Sequence, residues 1–358
     1  MSSAELDEPR AQFHRFADVE CRGRSPLYAE ICRAVAREDD LLELYGRTPE
    51  RQRRPNLLLA AIHFLLLDGA EHPLAAHVPT VAGARTATGT AGEHAVAFCR
   101  EHADEIAVLL TTRNTQTNEV NRCAALLPAL VAATPRGAPL RLVELGASGG
   151  LNLLLDRYAY RYDGASPVRV GDGDVVCTCT VDGTLPDLGE LPVVAERTGV
   201  DLHPVDVRDD DAARWLLACV FADQPHRVAR LRAAIAAARE RPPQLVRADG
   251  PSTVAAFALD GDPGLHPVVW HSNALVYTFA EQQRELTASL DGAAAERDLT
   301  WIYLEAAPGR IGLPPLDVRA ARDAAGCALV AVSYRDGERS VRQLAAADPH
   351  LATMTWLA

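Results

Sequence analysis

Apolar residues recur at three- and four-residue spacing through the first third of the chain, which is the period of an amphipathic helix. The pattern predicts helices over 27–45, 55–69, 93–110 and 117–133. Pro26, Pro55 and Pro135 mark their boundaries, since proline starts a helix well but cannot continue one. No strand-like alternation occurs in this part, so we expect an α-helical domain over residues 1–136.

The pattern changes after residue 136, where short apolar runs alternate with helical stretches. These runs lie at 140–145, 158–162, 244–248, 267–271, 301–305, 327–334 and 352–357. Strands that alternate with helices predict an α/β fold with a mostly parallel sheet. We therefore expect a second domain over 137–358, with a β-rich insertion at about 165–205, where Gly/Asp turns interrupt the rhythm.

Charge and cysteine content limit the functions that the chain can have. The 358 residues carry a net charge of −12, which disfavours a nucleic-acid partner, because proteins that bind phosphate backbones usually have a basic surface. The eight cysteines form no C-x-x-C pair, so we expect buried thiols and no metal site. We find no signal peptide and no apolar run of membrane length. A cytoplasmic protein with no membrane partner is expected, and its oligomeric state stays open.

The strongest chemical signal is the turn after the first predicted strand. It reads Val-Glu-Leu-Gly-Ala-Ser-Gly-Gly-Leu-Asn over 143–152, with Glu144 two residues before the first glycine. Small residues at a strand-to-helix turn let backbone N–H groups approach a ligand closely. Such turns also occur without any ligand, so a purely structural interpretation stays open. The spacing of Gly146, Ser148 and Gly150 fits a dinucleotide fingerprint poorly.

The turn resembles the first motif of class I S-adenosylmethionine-dependent methyltransferases, an acid followed by G-x-G-x-G at the end of the first strand. Ser148 stands here in place of the middle glycine. The resemblance implies a Rossmann-like sheet, mostly parallel with an antiparallel last strand, and S-adenosylmethionine as the cofactor. The loop would pass under the methionine and ribose, and the acid would organise the amino group. The cofactor-binding residues implied at the turn are Glu144, Gly146, Ala147, Ser148, Gly150 and Asn152.

Later motifs extend this resemblance along the chain. Asp163 follows the second predicted strand, where the superfamily places an acid on the ribose hydroxyls; a turn residue in an Asp-Gly pair is the alternative. Asp249 and Gly250 resemble the third motif, whose acid accepts a hydrogen bond from the adenine amino group. The run Val-Val-Trp-His-Ser-Asn over 268–273 resembles the fourth strand and the loop that faces the transferred methyl group. By the same resemblance, 301–305 would be the fifth strand, and 327–334 with 352–357 the closing antiparallel pair.

The segment over 111–122 is unusually polar for a stretch that runs into an apolar helix. A helix cap explains one of its residues. On a helix, Asn118 and Arg122 would share one face, so we expect both to bind the cofactor, with Arg122 or Arg113 meeting a carboxylate. Together with the turn and the Trp-His-Ser run, this segment resembles an actinobacterial family of unknown function with a helical front and a methyltransferase-like core.

Methyl transfer to an alcohol or an ammonium group needs a base that takes the proton of the acceptor. Histidine suits this role, and His271, at the end of the fourth strand, is the first candidate; a buried structural histidine is the alternative. Tyr277 and Glu119 are secondary candidates, and Glu305 is expected to face the same cleft. The sequence thus predicts methyl transfer to a small-molecule substrate. A ligand-binding protein without turnover and an NAD(P)-dependent oxidoreductase remain alternatives.

Overall fold

A computed structural model describes residues 3–275, 278–306 and 326–358 of the chain. The chain divides into two compact units. The first unit comprises residues 1–117 and 208–232, and the second comprises residues 118–207 and 233–358.

Helices build the first unit, as the apolar spacing predicts. In chain order, the helices of the described residues are α1 (Ser3–Arg15), α2 (Pro26–Val35), α3 (Asp39–Gly46), α4 (Pro55–Leu67), α5 (Pro79–Ala82), α6 (Ala91–Glu101), α7 (Ala103–Thr112), α8 (Cys123–Ala133), α9 (Asp210–Ala218), α10 (Pro225–Glu240), α11 (Val254–Leu259) and α12 (Ala280–Ala294). The first unit contains α1 to α7 and α9. Within it, α4 starts at a proline and is apolar on nearly all sides, so the helix is buried in the core.

One sheet of mostly parallel strands builds the second unit, which confirms the α/β prediction. Its strands are β1 (Leu140–Leu145), β2 (Ala159–Gly164), β3 (Val168–Val170), β4 (Val176–Asp182), β5 (Val194–Asp201), β6 (Gln244–Arg247), β7 (His266–Ser272), β8 (Leu299–Glu305), β9 (Cys327–Arg335), β10 (Glu338–Ala347) and β11 (Thr353–Trp356). Their order is β3-β2-β4-β11-β10-β9-β8-β7-β1-β5-β6. The strands β6, β5, β1, β7 and β8 run parallel, whereas β8 to β11 are successive antiparallel neighbours.

Helices cover both faces of the central strands. On one face, Val143, Val269 and Trp301 form a core with Leu286 and Leu290 of α12. On the other face, α8 contacts β4, β8 and β9. Because strands covered on both sides contain near-continuous apolar runs, the apolar runs of the sequence identified β1, β7 and β8 correctly.

The closing strands differ from the prediction. We expected 327–334 to pair with 352–357, but β10 lies between them and is antiparallel to both. The first half of β10 reads Glu-Arg-Ser-Val-Arg-Gln and is largely exposed. It therefore lacks the apolar run by which the other strands are recognised.

Residues 165–205 contribute strands to two separate parts of the sheet. Near one edge, β3 and β4 flank β2, whereas β5 pairs with β1 near the opposite edge. The segment that looked like one β-rich insertion therefore includes a direct neighbour of the first strand.

Cysteine burial and helix length bear on two expectations from composition. All eight cysteines carry free thiols, and only Cys219 is partly exposed, which confirms the expected buried thiols. Over residues 3–275, 278–306 and 326–358, no helix is long and apolar enough to cross a membrane.

Close packing behind the glycine-rich turn gives a testable prediction. Gly150 has a φ of +66°, and an added Cβ would lie 2.7 Å from Pro243 Cγ and 2.9 Å from Leu245 Cδ2. We expect Gly150→Ala to lower the free energy of unfolding by about 2–4 kcal/mol, from backbone strain plus steric overlap. Equilibrium urea unfolding measures this loss.

Gly137→Ala is the matched control. Gly137 has a similar φ of +73°, but an added Cβ would have no atom within 4 Å. Gly137→Ala should therefore lower the free energy of unfolding by only about 1 kcal/mol, which is the backbone cost. Equal losses in the two variants would show that the overlap behind Gly150 costs nothing.

Candidate functional site

The carboxyl ends of β1, β5, β6, β7 and β8 lie along one edge of the sheet, because these strands are parallel. After β1 the chain first forms β2, β3 and β4 at the far end of the sheet; it then adds β5 and β6 on one side of β1, and β7 and β8 on the other. Ligands of open α/β sheets bind outside the carboxyl ends where the strand order reverses in this way. The candidate site is therefore the edge of the sheet at the end of β1.

The turn after β1 contains three residues in the left-handed region. The φ angle is +73° at Gly146, +51° at Ser148 and +66° at Gly150. Glycine adopts such angles freely, whereas serine pays about 1–2 kcal/mol. The backbone N–H of Ser148 donates to Asp201 Oδ2 at 2.8 Å. A carboxylate at the end of β5 thus holds the one strained non-glycine residue of the turn.

Asp201 is the acid that the sheet places beside the turn, and our sequence reasoning did not single it out. It ends β5, the direct neighbour of β1. Its Oδ1 accepts from the N–H of His203 at 2.8 Å. The signal that identifies it is the strand-like run Val-Ala-Glu-Arg-Thr-Gly-Val-Asp, which ends in an acid. Gly199 in this run lets β5 approach the turn, because an added Cβ would lie 2.7 Å from the Cβ of Ala147.

The structure does not bring Asp163 to the turn, contrary to the expectation. Asp163 lies on β2, which β4, β11, β10, β9, β8 and β7 separate from β1. Its half-exposed carboxylate pairs with Arg161 of the same strand at 3.2 Å. A parallel neighbour requires a crossover of a dozen or more residues, usually a helix. Between β1 and β2 the chain forms the 3-10 turn Leu151–Arg157 instead of the α-helix that usually makes such a crossover, and β2 pairs with β3 and β4.

The structure does place Asp249 and Gly250 at the candidate edge. They follow β6, and the N–H of Ala248 donates to the carbonyl oxygen of Asp201 at 3.1 Å, which ties the ends of β5 and β6 together. Asp249 is exposed, and Gly250 has a φ of +93°. Two carboxylates therefore stand at the ends of adjacent strands, next to the turn.

Glu144 lies beneath the turn with only 3% of its surface exposed. Its Oε1 accepts from Asn152 Nδ2 at 3.1 Å. Its Oε2 forms no close hydrogen bond with the described residues, although the indole of Trp270 on the neighbouring strand interacts with the carboxyl group. Burial raises the pKa of Glu144 to about 8, and the charge of Asp201 adds to this shift, although the hydrogen bonds from Asn152 and Trp270 and the charge of Arg122 oppose it. The carboxyl group is therefore largely protonated at neutral pH.

The polar segment before α8 forms a 3-10 turn, Val120–Arg122, which Glu119 caps through its side chain. The predicted helix over 117–133 thus starts too early, and Asn118 and Arg122 share no helix face. The physical reason is the Asn121 side chain, which bonds the strand backbone at Thr178 at 2.8 and 2.9 Å. An asparagine that pairs with remote backbone groups competes with helix formation.

This polar turn anchors the closing loop, residues 348–351 between β10 and β11. Asn121 Nδ2 donates to two carbonyl oxygens of the loop at 3.0 Å, and Arg122 Nε donates to a third at 3.1 Å. Glu119 Oε2 accepts from the imidazole of the same loop at 3.2 Å. Arg122 Nη1 also donates to Ser272 at 3.2 Å. The turn therefore brings a buried guanidinium group to the carboxyl end of β7.

His271 and Glu305 form a buried pair near the ends of β7 and β8. His271 Nδ1 donates to Glu305 Oε1 at 2.8 Å, and the same oxygen accepts from the N–H of Ala274 at 2.9 Å. The imidazole is fully buried and stacks on Tyr303 with 5.6 Å between ring centroids. Since Nδ1 carries the proton, the neutral ring has its lone pair at Nε2, which has no partner among the described residues. This geometry fits a positioned base and equally a structural histidine.

Tyr277 lies outside the described residues. In the part of the chain that the structure describes, no group of three or more His, Cys, Asp or Glu residues is arranged to hold a metal ion.

A family model described as "uncharacterized protein conserved in bacteria (DUF2332)" matches residues 10–356. Searches of the curated proteins and of the solved structures find no match for the chain. The family match extends over the helices of the first unit and the sheet of the second.

The raised pKa of Glu144 makes stability depend on pH. Its ordinary pKa is 4.5 and its folded-state pKa is about 8, so the folded protein holds this proton more tightly. The resulting stabilisation is complete below the ordinary pKa and is lost as the pH rises through 8. Glu144→Gln does not titrate, so it should remove this loss, which is on the order of a few kcal/mol between about pH 5.5 and 8.5.

Urea unfolding of both proteins at the two pH values measures the effect. Glu338→Gln is the control, since Glu338 is exposed at the start of β10. That variant should follow the pH dependence of the wild type. If the stability of Glu144→Gln also changes with pH as that of the wild type does, the carboxyl group of Glu144 is ionised in the folded protein and the burial argument is wrong.

Proposed function

The chain belongs to the bacterial family DUF2332, and we propose that it binds S-adenosylmethionine at the carboxyl end of β1 and transfers the methyl group to a small-molecule acceptor. The observation that carries the proposal is the left-handed turn over 146–150 at the reversal of strand order, flanked by Asp201 and Asp249 on the next two strands. Small residues in the turn let a ligand approach the backbone closely, and aligned carboxylates can accept from the hydroxyl and amino groups of a nucleoside.

The strand order supports a Rossmann-like methyltransferase sheet as part of the proposal. Numbered by their order in the chain, β6, β5, β1, β7 and β8 have the arrangement 3-2-1-4-5, which is the order of a doubly wound nucleotide-binding sheet. The antiparallel strand β9 beside β8 agrees with the expected antiparallel end.

Asp201 and Asp249 are proposed to hold the nucleoside. A carboxylate can accept from both vicinal hydroxyls of a ribose. Each oxygen of Asp201 accepts one backbone N–H, and a carboxylate oxygen has a further lone pair for a hydroxyl. Asp249, one strand further from the turn and exposed, would accept from the amino group of the base.

Glu144 shows whether the site fits the amino-acid end of the cofactor. Its Oε2 is buried and forms no close hydrogen bond with the described residues, since the Trp270 indole is only a weak internal donor to the carboxyl group. Such an oxygen gains from a stronger donor that reaches it. An ammonium group would supply this donor and favour the ionised carboxylate. Arg122 would meet the carboxylate of the same amino acid. When bound, the cofactor supplies an electrophilic methyl group on sulfur.

His271, with Tyr277 and Glu119 as further candidates, is proposed to accept the proton of the acceptor. Glu305 fixes the proton of the His271 ring at Nδ1 and leaves Nε2 as the basic nitrogen. A fully buried base acts only on an acceptor that enters the same water-excluded volume. This requirement, like the net charge of −12, favours a small molecule over a nucleic acid.

Ligand binding without turnover is the second candidate function. Both His271 and Glu119 are buried, and each is engaged by an internal partner. The scaffold would then keep the cofactor site and lack an available base. An NAD(P)-dependent oxidoreductase is less favoured, because Glu144 replaces the apolar residue that normally precedes a dinucleotide turn.

Calorimetric titration with S-adenosylmethionine and S-adenosylhomocysteine tests the proposal. We expect micromolar binding to the wild type, or about −8 kcal/mol. Asp201→Asn and Asp249→Asn should each weaken it about tenfold or more, through the loss of a charge-assisted hydrogen bond. NADH in a parallel titration should not bind.

Asp163→Asn is the matched control, because Asp163 is an acid on the same sheet but lies seven strands away from β1. It should leave the affinity unchanged, and thermal unfolding should show that all three variants are folded. The absence of binding by the wild type would remove the cofactor proposal. Equal weakening by Asp163→Asn would show that the site is elsewhere on the sheet.

A further inference from the structure

Four histidines of the first unit form a continuous row of rings with one phenylalanine. The rings of His102, Phe98, His72, His94 and His77 follow one another, with centroid distances of 4.4, 5.2, 6.4 and 5.0 Å. We call these four histidines the histidine row. They come from α6, from its carboxyl end and from the 3-10 turn Pro73–His77, so the row joins this turn to α6.

His72 has a role that only the neutral ring can perform. Its Nδ1 accepts a hydrogen bond from the N–H of Leu74 at 3.1 Å and caps the turn Pro73–His77. An imidazolium ring donates from both nitrogens and cannot accept this bond. Protonation of His72 therefore removes the cap and places two N–H donors against each other.

The surroundings of His72 also oppose its protonation. Burial lowers the pKa of His72, and the charges that His94 and His102 can carry act in the same direction, while Glu101 opposes them. Two carboxylates face the row: Glu105 lies against His102, whereas Glu101 lies between His72 and His102, 4.0 Å from His102 Nε2. Glu105 accepts from His102 Nδ1 at 3.0 Å, and Glu101 stands 3.8 Å from His72 Nε2.

The row holds one segment of the unit in place. The N–H of Ala87 donates to the carbonyl oxygen of Ala76 at 2.7 Å, so residues 73–87 close on themselves behind the turn. Leu74 and Val78 of this segment are buried in the helical core. Loss of the cap at His72 would act on this segment first, because His72 caps the turn with which the segment begins.

We propose that the histidine row is an acid-sensitive latch, in which neutral His72 holds residues 73–87 closed and its protonation opens them. The opened segment binds the proton more readily than the closed one. Opening therefore grows as the pH falls through 6.5, the ordinary value for histidine. The proposal concerns the first unit alone and does not depend on the cofactor site.

Hydrogen exchange at about pH 7.5 and about pH 5.5, corrected for the intrinsic rate, tests the latch in the full-length protein. In the wild type we expect peptides within 73–87 to lose protection about tenfold or more at the lower pH, and to regain it on return. Peptides from β1 and β7 serve as the internal reference and should change much less.

His72→Asn provides the decisive variant. The Asn side-chain oxygen can accept from Leu74 as an N-cap and does not titrate. We expect residues 73–87 of this variant to stay protected at both pH values. His14→Asn, at an exposed position of α1, should behave as the wild type. The latch is refuted if wild-type protection of 73–87 is the same at both pH values, or if His72→Asn opens at low pH to the same extent as the wild type.

Discussion

The hydrogen bond from the Ser148 N–H to the Asp201 carboxylate is the contact on which the candidate site depends. It joins the turn after β1 to the end of β5 and offsets the left-handed conformation of a serine, which costs about 1–2 kcal/mol. The second oxygen of Asp201 holds the next loop through His203. One carboxylate thus organises the backbone of both loops at the reversal of strand order.

The two faces of the sheet give the candidate site two different buried acids. Side chains alternate along a strand, and Glu144 therefore lies on the opposite side of β1 from Val143, which faces α12. Glu305 accompanies His271, which stacks on Tyr303 of the α12 face. Apart from its interaction with the Trp270 indole, Glu144 Oε2 forms no close hydrogen bond with the described residues, whereas Glu305 Oε1 accepts from a ring nitrogen and from the backbone. Glu144 is therefore suited to receive a ligand group, and Glu305 is suited to fix the side chain of His271.

Apolar runs and small residues made much of this fold predictable. β1, β7 and β8 are covered on both faces, so their runs are nearly continuous, and the turn over 146–150 is readable because backbone angles there demand glycine. Asp249 followed from its position after such a run. The sequence also indicated the helical character of the first unit, since helix periodicity is a local property.

Strand neighbours were not predictable in the same way, because pairing joins residues that are distant in the chain. Asp163 lies on β2, the second strand along the chain, whereas Asp201 ends β5, the strand that lies beside β1 in the sheet. The partners of Asn121 lie 57 to 230 residues away, so its polar segment looked like a helix face. The histidine row was hidden for a related reason, since His72 and His77 meet α6 through tertiary packing alone.

The central claim is that the end of β1 holds the cofactor, and hydrogen exchange with and without saturating S-adenosylhomocysteine tests it most directly. The account predicts slower exchange over residues 146–153 and over the loop after Asp201, with β2 and β3 unchanged. Binding that protects the β2–β3 edge, or that leaves both loops at the end of β1 unprotected, would contradict it.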